Sequence, residues 1–123
     1  MIALETKDVT KKYKKKIAVN EVTISLEENK IYGLLGRNGA GKTTLLNLLA
    51  GQITSSSGSV SIFGEDVFEN SKAMQNICFV RVKEESHLSY SVKEIFKICN
   101  MFYKNWDQKF AEELAGKFQL NID

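Results

Sequence analysis

The segment Gly36-Arg37-Asn38-Gly39-Ala40-Gly41-Lys42-Thr43-Thr44 constrains the fold of this chain more than any other stretch. It matches the phosphate-binding loop pattern G-x-x-x-x-G-K-[ST] at every required position. A short apolar run at residues 31–35 precedes it, and a helical run at residues 45–50 follows it. The sequence therefore predicts a buried strand, a glycine-rich turn and a helix start, in that order.

Each residue type in this loop suits phosphate binding. Glycines at 36, 39 and 41 let the backbone take conformations closed to residues with a Cβ, so several N–H groups can face inward as an anion site. The following helix adds its N-terminal dipole and unpaired N–H groups. We expect Lys42 to reach the β- and γ-phosphates, Thr43 to bind Mg²⁺ and Thr44 to hydrogen-bond phosphate. The candidate loop residues are Asn38, Gly39, Ala40, Gly41, Lys42, Thr43 and Thr44.

The structural alternative is a turn rich in glycine and asparagine whose lysine is merely solvated. The complete match, the second threonine and the flanking strand and helix favour a binding site instead. The expected ligand is a nucleoside triphosphate with magnesium.

Composition excludes several other classes of protein. The length of 123 residues fits one domain with a real core. The net charge of +2 is too small to indicate nucleic-acid binding. No apolar run is long enough to span a membrane, and the first residues carry no signal-peptide pattern. Cys78 and Cys99 fit no metal motif and sit in apolar runs, which predicts buried free thiols.

Periodicity predicts the remaining elements. Residues 2–13 and 17–26 read as an antiparallel hairpin, and 59–63 and 77–82 read as further strands. A helix from Lys42 should end near Gly51, and residues 66–75 are weakly helical. Ser91-Val92-Lys93-Glu94 is a capping box, and a last helix should start near Asp107. Its apolar stripe, with Phe110, Leu114 and Phe118, is expected to pack in the core.

Four stretches resemble the ATP-binding subunit of an ABC transporter. These are the loop itself; the run from Lys11 to Val22, with an aromatic residue about twenty residues before the loop; Leu48-Leu49-Ala50-Gly51 with Ser57-Gly58 and Ile62-Phe63-Gly64; and Ser91-Val92-Lys93-Glu94-Ile95-Phe96. The resemblance covers nearly the whole chain. It implies an α/β fold: a P-loop NTPase core at 31–82, an antiparallel β-subdomain at 1–30, and the beginning of an α-helical subdomain at 83–123.

The resemblance also implies an adenine platform. Tyr13 takes the place of the aromatic residue that stacks on the base, and Val19 is expected to pad the same base. The alternative for Tyr13 is an ordinary strand-end tyrosine among solvated lysines.

Two departures from the family pattern limit these expectations. The usual glutamine after the strand at 77–82 is missing; Val82 stands there in an ungapped reading, and Glu84 substitutes only with a shifted loop. Gln75 and His87 are not assigned as ligands. The chain also lacks an L-S-G-G-Q signature, a second apolar strand ending in Asp-Glu and a late switch histidine. It therefore resembles a truncated subunit, an expressed fragment or a prematurely ended gene product.

The resemblance implies a function for the intact protein. It would bind MgATP, hydrolyse it to ADP and phosphate as a dimer with a second copy, and drive a transmembrane transporter subunit from the cytoplasmic face of the membrane. The chain alone, without the catalytic segment, should show negligible turnover. The alternatives are a soluble ABC ATPase outside transport and a chain that only binds nucleotide.

Overall fold

Four antiparallel strands form the sheet of the first of two compact units, Met1–Phe79 and Val80–Asp123. The computed structural model describes residues 1–81 and 89–123. The strands lie in the order β2-β1-β3-β4, so the first strand lies inside the sheet between the second and third.

The predicted hairpin is confirmed. Strands β1 (Ile2–Tyr13) and β2 (Lys16–Glu27) pair antiparallel around a turn at Lys14 and Lys15. In β2, the side chains of Val22, Ile24 and Leu26 are partly buried in alternation with exposed polar residues, as one covered face requires. The hairpin is thus determined by local pattern.

A buried threonine ties the hairpin to the next strand. Thr6 of β1 pairs with Ile24 of β2 and with Val60 of β3 (Ser57–Ile62). Its hydroxyl donates to the carbonyl of Val22 at 2.8 Å and accepts from the N–H of Ile24 at 3.0 Å. Burial of this hydroxyl is tolerated because both hydrogen bonds are made.

Helix α1 (Lys42–Leu49) packs its buried face onto this sheet. Leu48 is only 1% exposed and belongs to the core cluster. The helix ends where Gly51 adopts a left-handed conformation, as the sequence predicted. The cluster comprises Val9, Val19, Leu48, Val60, Ile62, Val67 and Ala73.

The segment after β3 is less helical than expected. A two-residue strand β4 (Glu65–Asp66) pairs with β3, and helix α2 covers only Ser71–Met74. The Asp66 carboxylate accepts from the N–H of Phe68 at 2.8 Å, which stabilises a turn instead of a helix. Hydrogen bonds from Lys72 and Asn70, with the charge of Lys72, lower the pKa of the Glu65 carboxyl. The contact between Glu65 and Lys72 joins β4 to α2 at neutral pH and is lost as acidification protonates Glu65.

Two predicted strands are absent. Residues 31–35 and 77–81 form no strand within the described part of the chain, and Val82 lies outside it. Leu35 is 93% exposed, and Cys78, expected to be buried, is exposed; both cysteines are free thiols. An apolar run becomes a strand only where a neighbouring backbone completes its ladder. Since β2 and β3 take both edges of β1, neither run finds a partner there.

The second unit contains two helices. Helix α3 (Val92–Phe102) begins with the predicted capping box: Ser91 Oγ accepts from the Glu94 N–H, and the Glu94 carboxylate accepts from the Ser91 N–H. Helix α4 (Gln108–Lys117) is capped by Asp107. The rings of Phe96 and Trp106 lie 5.5 Å apart.

The expected core role of the aromatic stripe on α4 is wrong. Phe110 and Phe118 are exposed, the latter by 72%, whereas the small Ala115 is buried. A helical stripe marks which face is apolar but not whether a partner covers it.

The helices are short. They comprise 8, 4, 11 and 10 residues in chain order. Within residues 1–81 and 89–123, none combines the length and apolar character needed to cross a membrane.

Gly58 offers a test of how closely β3 approaches β1. A Cβ on Gly58 would lie 2.4 Å from the carbonyl oxygens of Lys7 and Asp8. Gly64 has nearly the same φ, +79° against +77°, but nothing within 4 Å of such a Cβ. We predict that Gly64→Ala costs about 1 kcal/mol of backbone strain. Gly58→Ala should cost about 1 to 3 kcal/mol more, because the strands must separate.

Urea unfolding followed by circular dichroism measures both variants. Equal unfolding free energies for Gly58→Ala and Gly64→Ala would contradict the close approach.

Candidate nucleotide-binding site

No side chain caps the start of helix α1. Its N-cap residue is Gly41, at φ 99°, and no side chain accepts a hydrogen bond there. Gly41 contributes its carbonyl to the first helical bond, from the Leu45 N–H at 2.8 Å. The N–H groups of the first turn are therefore available to an anion, and the helix dipole favours negative charge at this end.

Gly41 is required for a second reason. A Cβ at this position would lie 2.2 Å from the carbonyl oxygen of Ala18 in β2. The start of the helix therefore lies directly against the hairpin, at a distance that only glycine permits. Gly39 is also left-handed, at φ 84°.

The expectation for Gly36 needs correction. Gly36 is not among the glycines with positive φ. A Cβ on it would lie in ordinary contact with Ala40, at 3.4 Å. Its conformation is thus open to other residues, because the sharp turn of the loop falls at Gly39 and Gly41.

Lys42 folds back over the loop. Its ammonium donates a hydrogen bond to the carbonyl of Gly36, so the charge lies against the loop. An ammonium has three donors, which leaves two for an anion. The same end of α1 therefore offers backbone N–H groups and a positive side chain together.

A cavity of about 240 Å³ lies at this end of the helix. Most of the predicted loop residues line it. Two residues of β2 that the sequence analysis did not nominate, Lys16 and Ala18, complete the wall. The lining comprises Lys16, Ala18, Asn38, Gly39, Gly41, Lys42, Thr43 and Thr44.

No local spacing singled out these two residues. The register of β2 against β1 shifts between the pairs Lys12–Ile17 and Lys11–Val19, so simple strand alternation does not assign the faces of residues 17–19. The structure places Val19 in the core, 6% exposed, and not in the cavity lining. Ala40 likewise lies outside that lining.

Tyr13 stands beside the cavity. It is the last residue of β1, pairs with the cavity residue Lys16 and is 48% exposed. About half of the residue is therefore open to a ligand that extends from the cavity along the hairpin.

A second cavity, of about 320 Å³, is less suited to an anion. Its wall includes Leu48 and Gly51, at the opposite end of α1, and the acidic residue Asp66. Both the negative end of the helix dipole and the charge of Asp66 disfavour phosphate.

Magnesium fits the first cavity only together with phosphate. In the portion of the chain that the structure describes, no three His, Cys, Asp or Glu side chains cluster to hold a metal ion. Thr43, whose side chain carries one hydroxyl oxygen, lines the cavity. Mg²⁺ prefers a few protein oxygens combined with substrate phosphates and water, which suits such a site.

Val82, Glu84 and His87 lie outside the described residues. Gln75 is exposed in the turn after α2.

The fold and the loop together place the chain among the α/β P-loop nucleotide-binding proteins, which confirms the predicted fold class. The profile of the ABC transporter family matches residues 19–122. The chain belongs to this family, whose ATP-binding subunits bind ATP.

Individual relatives agree with the family match. The bacitracin transport ATP-binding protein BcrA of Bacillus licheniformis is 46% identical over 97% of this chain and 44% of its own length. The ABC transporter ATP-binding protein YtrB of Bacillus subtilis is 30% identical over 95% of this chain and 40% of its own. A solved ATP-binding subunit of an ABC transporter superposes with a TM-score of 0.83 at 21% identity, over 96% of this chain and 51% of that one. The chain thus spans about half the length of these relatives or less.

Gly41 provides a direct test of the loop geometry. We predict that Gly41→Ala abolishes measurable binding of MgATP and of inorganic triphosphate, because the new methyl group collides with the Ala18 carbonyl. Gly36→Ala, in the same loop, should keep most of the affinity. Isothermal titration calorimetry compares the two variants, and equal losses would contradict the role assigned to the Gly41–Ala18 approach.

Proposed function

We propose that this chain binds MgATP as part of the ATP-binding subunit of an ABC transporter. The observation that carries the proposal is the uncapped N-terminus of α1 beneath the ammonium of Lys42. Backbone N–H groups and a lysine at one helix end form a polyanion site that needs no further charged residue.

The loop residues bind different parts of the magnesium–triphosphate group. Lys42 keeps its bond to the Gly36 carbonyl and directs its two remaining N–H donors to the β- and γ-phosphates. Thr43 provides a metal oxygen, and Thr44 a hydrogen bond to phosphate. Magnesium, when bound, would neutralise part of the phosphate charge.

Tyr13 is proposed to carry the adenine base. A half-exposed ring next to the cavity presents an aromatic face to a purine, and stacking depends little on the base's hydrogen-bonding edge. Val19 is proposed to pad the same base with a small contact area, because its side chain is mostly buried in the core.

The activity of the whole protein is a further proposal. The intact subunit would hydrolyse ATP as a dimer with a second copy and drive a transmembrane partner from the inner face of the membrane. One relative is named for bacitracin transport, which supports bacitracin as a candidate for the transported compound.

A soluble ABC ATPase outside transport is the alternative. The names of the relatives favour the transport subunit. A neighbouring gene encoding several apolar spans would support transport, and its absence would favour the alternative.

Removing the lysine tests the phosphate site. We predict that Lys42→Ala weakens MgATP and inorganic triphosphate alike by about ten- to a hundredfold, the loss of a charge-assisted hydrogen bond. Lys97→Ala, an exposed lysine of α3, removes the same charge elsewhere and should bind normally. Calorimetry measures both, and unchanged binding by Lys42→Ala would overturn the site.

Removing the ring tests the base platform. Tyr13→Ala should weaken ATP by about five- to a hundredfold through lost stacking, and leave inorganic triphosphate unchanged. Tyr90→Ala is the matched control, since Tyr90 is 52% exposed, much as Tyr13 is. Equal losses of ATP and triphosphate by Tyr13→Ala would exclude stacking.

A further inference from the structure

One face of the Tyr13 ring is already occupied. The ammonium nitrogen of Lys11 lies 5.2 Å from the ring centroid. Lys11 and Tyr13 are two residues apart on β1, so their side chains project to the same side of the strand. This spacing is within the range of a cation–π contact.

Lys11 is itself held in place. Its ammonium donates to the carbonyl oxygen of Thr54 at 2.6 Å. Thr54 lies in the segment between α1 and β3, which is fixed to β1 by two further hydrogen bonds. The N–H of Ser56 donates to the Thr10 carbonyl at 2.8 Å, and the Lys12 N–H donates to Ser56 Oγ at 2.9 Å.

These contacts leave Tyr13 one face for a ligand. The ring ends a strand beside a turn and is about half exposed, so its orientation is not set by burial. Lys11 covers one face from a fixed anchor, and a base can stack only on the opposite face. The cation also withdraws charge from the ring, which favours an electron-rich partner on that face.

We propose that Lys11 is a positioning residue for nucleotide base binding: anchored to the Thr54 carbonyl, it covers one face of Tyr13 and orients the other toward adenine. This inference rests on the proposed function, because it assumes that Tyr13 receives the base. It also links the base platform to α1, since the segment carrying Thr54 follows the helix whose N-terminus receives the phosphates.

Substitutions at Lys11 test the proposal by calorimetry on this chain, with MgATP and inorganic triphosphate as separate probes. Lys11→Met keeps the apolar stem but removes the charge and the hydrogen bond. We expect it to weaken the affinity for ATP by about two- to fivefold, as for an exposed cation–π contact, and to leave the affinity for triphosphate unchanged. Lys11→Arg should restore ATP affinity, because a guanidinium both donates to a carbonyl and stacks on a ring.

Lys12→Met is the matched control. It removes the same charge from the next position of the strand, where the backbone N–H rather than the side chain bonds Ser56. Normal ATP binding by Lys12→Met is expected. Circular dichroism spectra confirm that each variant keeps the fold of the parent chain.

A double-mutant cycle separates positioning from a general charge effect. In a Tyr13→Ala background, Lys11→Met should have no further effect on the affinity for ATP. A loss of the same size with and without Tyr13, or an equal loss of triphosphate, would show that Lys11 acts on the phosphates and overturn the proposal.

The failure of this inference is distinguishable from failure of the proposed function. If Tyr13→Ala selectively weakens ATP binding but Lys11→Met does not, Tyr13 still binds the base and the role proposed for Lys11 is wrong. If Tyr13→Ala has no selective effect, the platform itself is wrong and the inference falls with it.

Discussion

The contact between Gly41 and the carbonyl of Ala18 is the constraint on which this structure depends. A side chain as small as a methyl group would come within 2.2 Å of that oxygen. The absence of a Cβ lets the start of α1 lie against β2, and the same residue takes the left-handed conformation that turns the loop into the helix. The cavity wall then combines loop residues with Lys16 and Ala18 of the hairpin.

Core contacts near the C-terminal end of α1 hold the helix in this position. Leu48 of α1 packs with Val9 and Val60 of the sheet. A helix this short is marginal by itself, so burial of its apolar face is what stabilises it. Its C-terminal end is committed to the core. Its N-terminal end is left uncapped, at the surface, where it offers backbone N–H groups to an anion. Stability and binding thus use opposite ends of one helix.

Local signals were sufficient for some elements and insufficient for others. The hairpin, the start of α1 and the capping box at Ser91 depend on contacts within a few residues or across one turn, and all were predicted. The runs at 31–35 and 77–82 have the composition of strands, but those positions that the structure describes lack a ladder partner, and Leu35 and Cys78 are exposed. Phe110 and Phe118 were misjudged for the same reason, because a stripe does not specify what covers it.

The sequence by itself determined the phosphate loop, the order of the local elements and the family of the protein, because each depends on residue types at short, fixed spacing. Only the tertiary structure decided which residues meet. It placed Ala18 in the cavity wall and Val19 in the core, and it brought Thr54 to Lys11. Strand pairing and helix packing bring these segments together across long separations in the chain, and no local spacing encodes them.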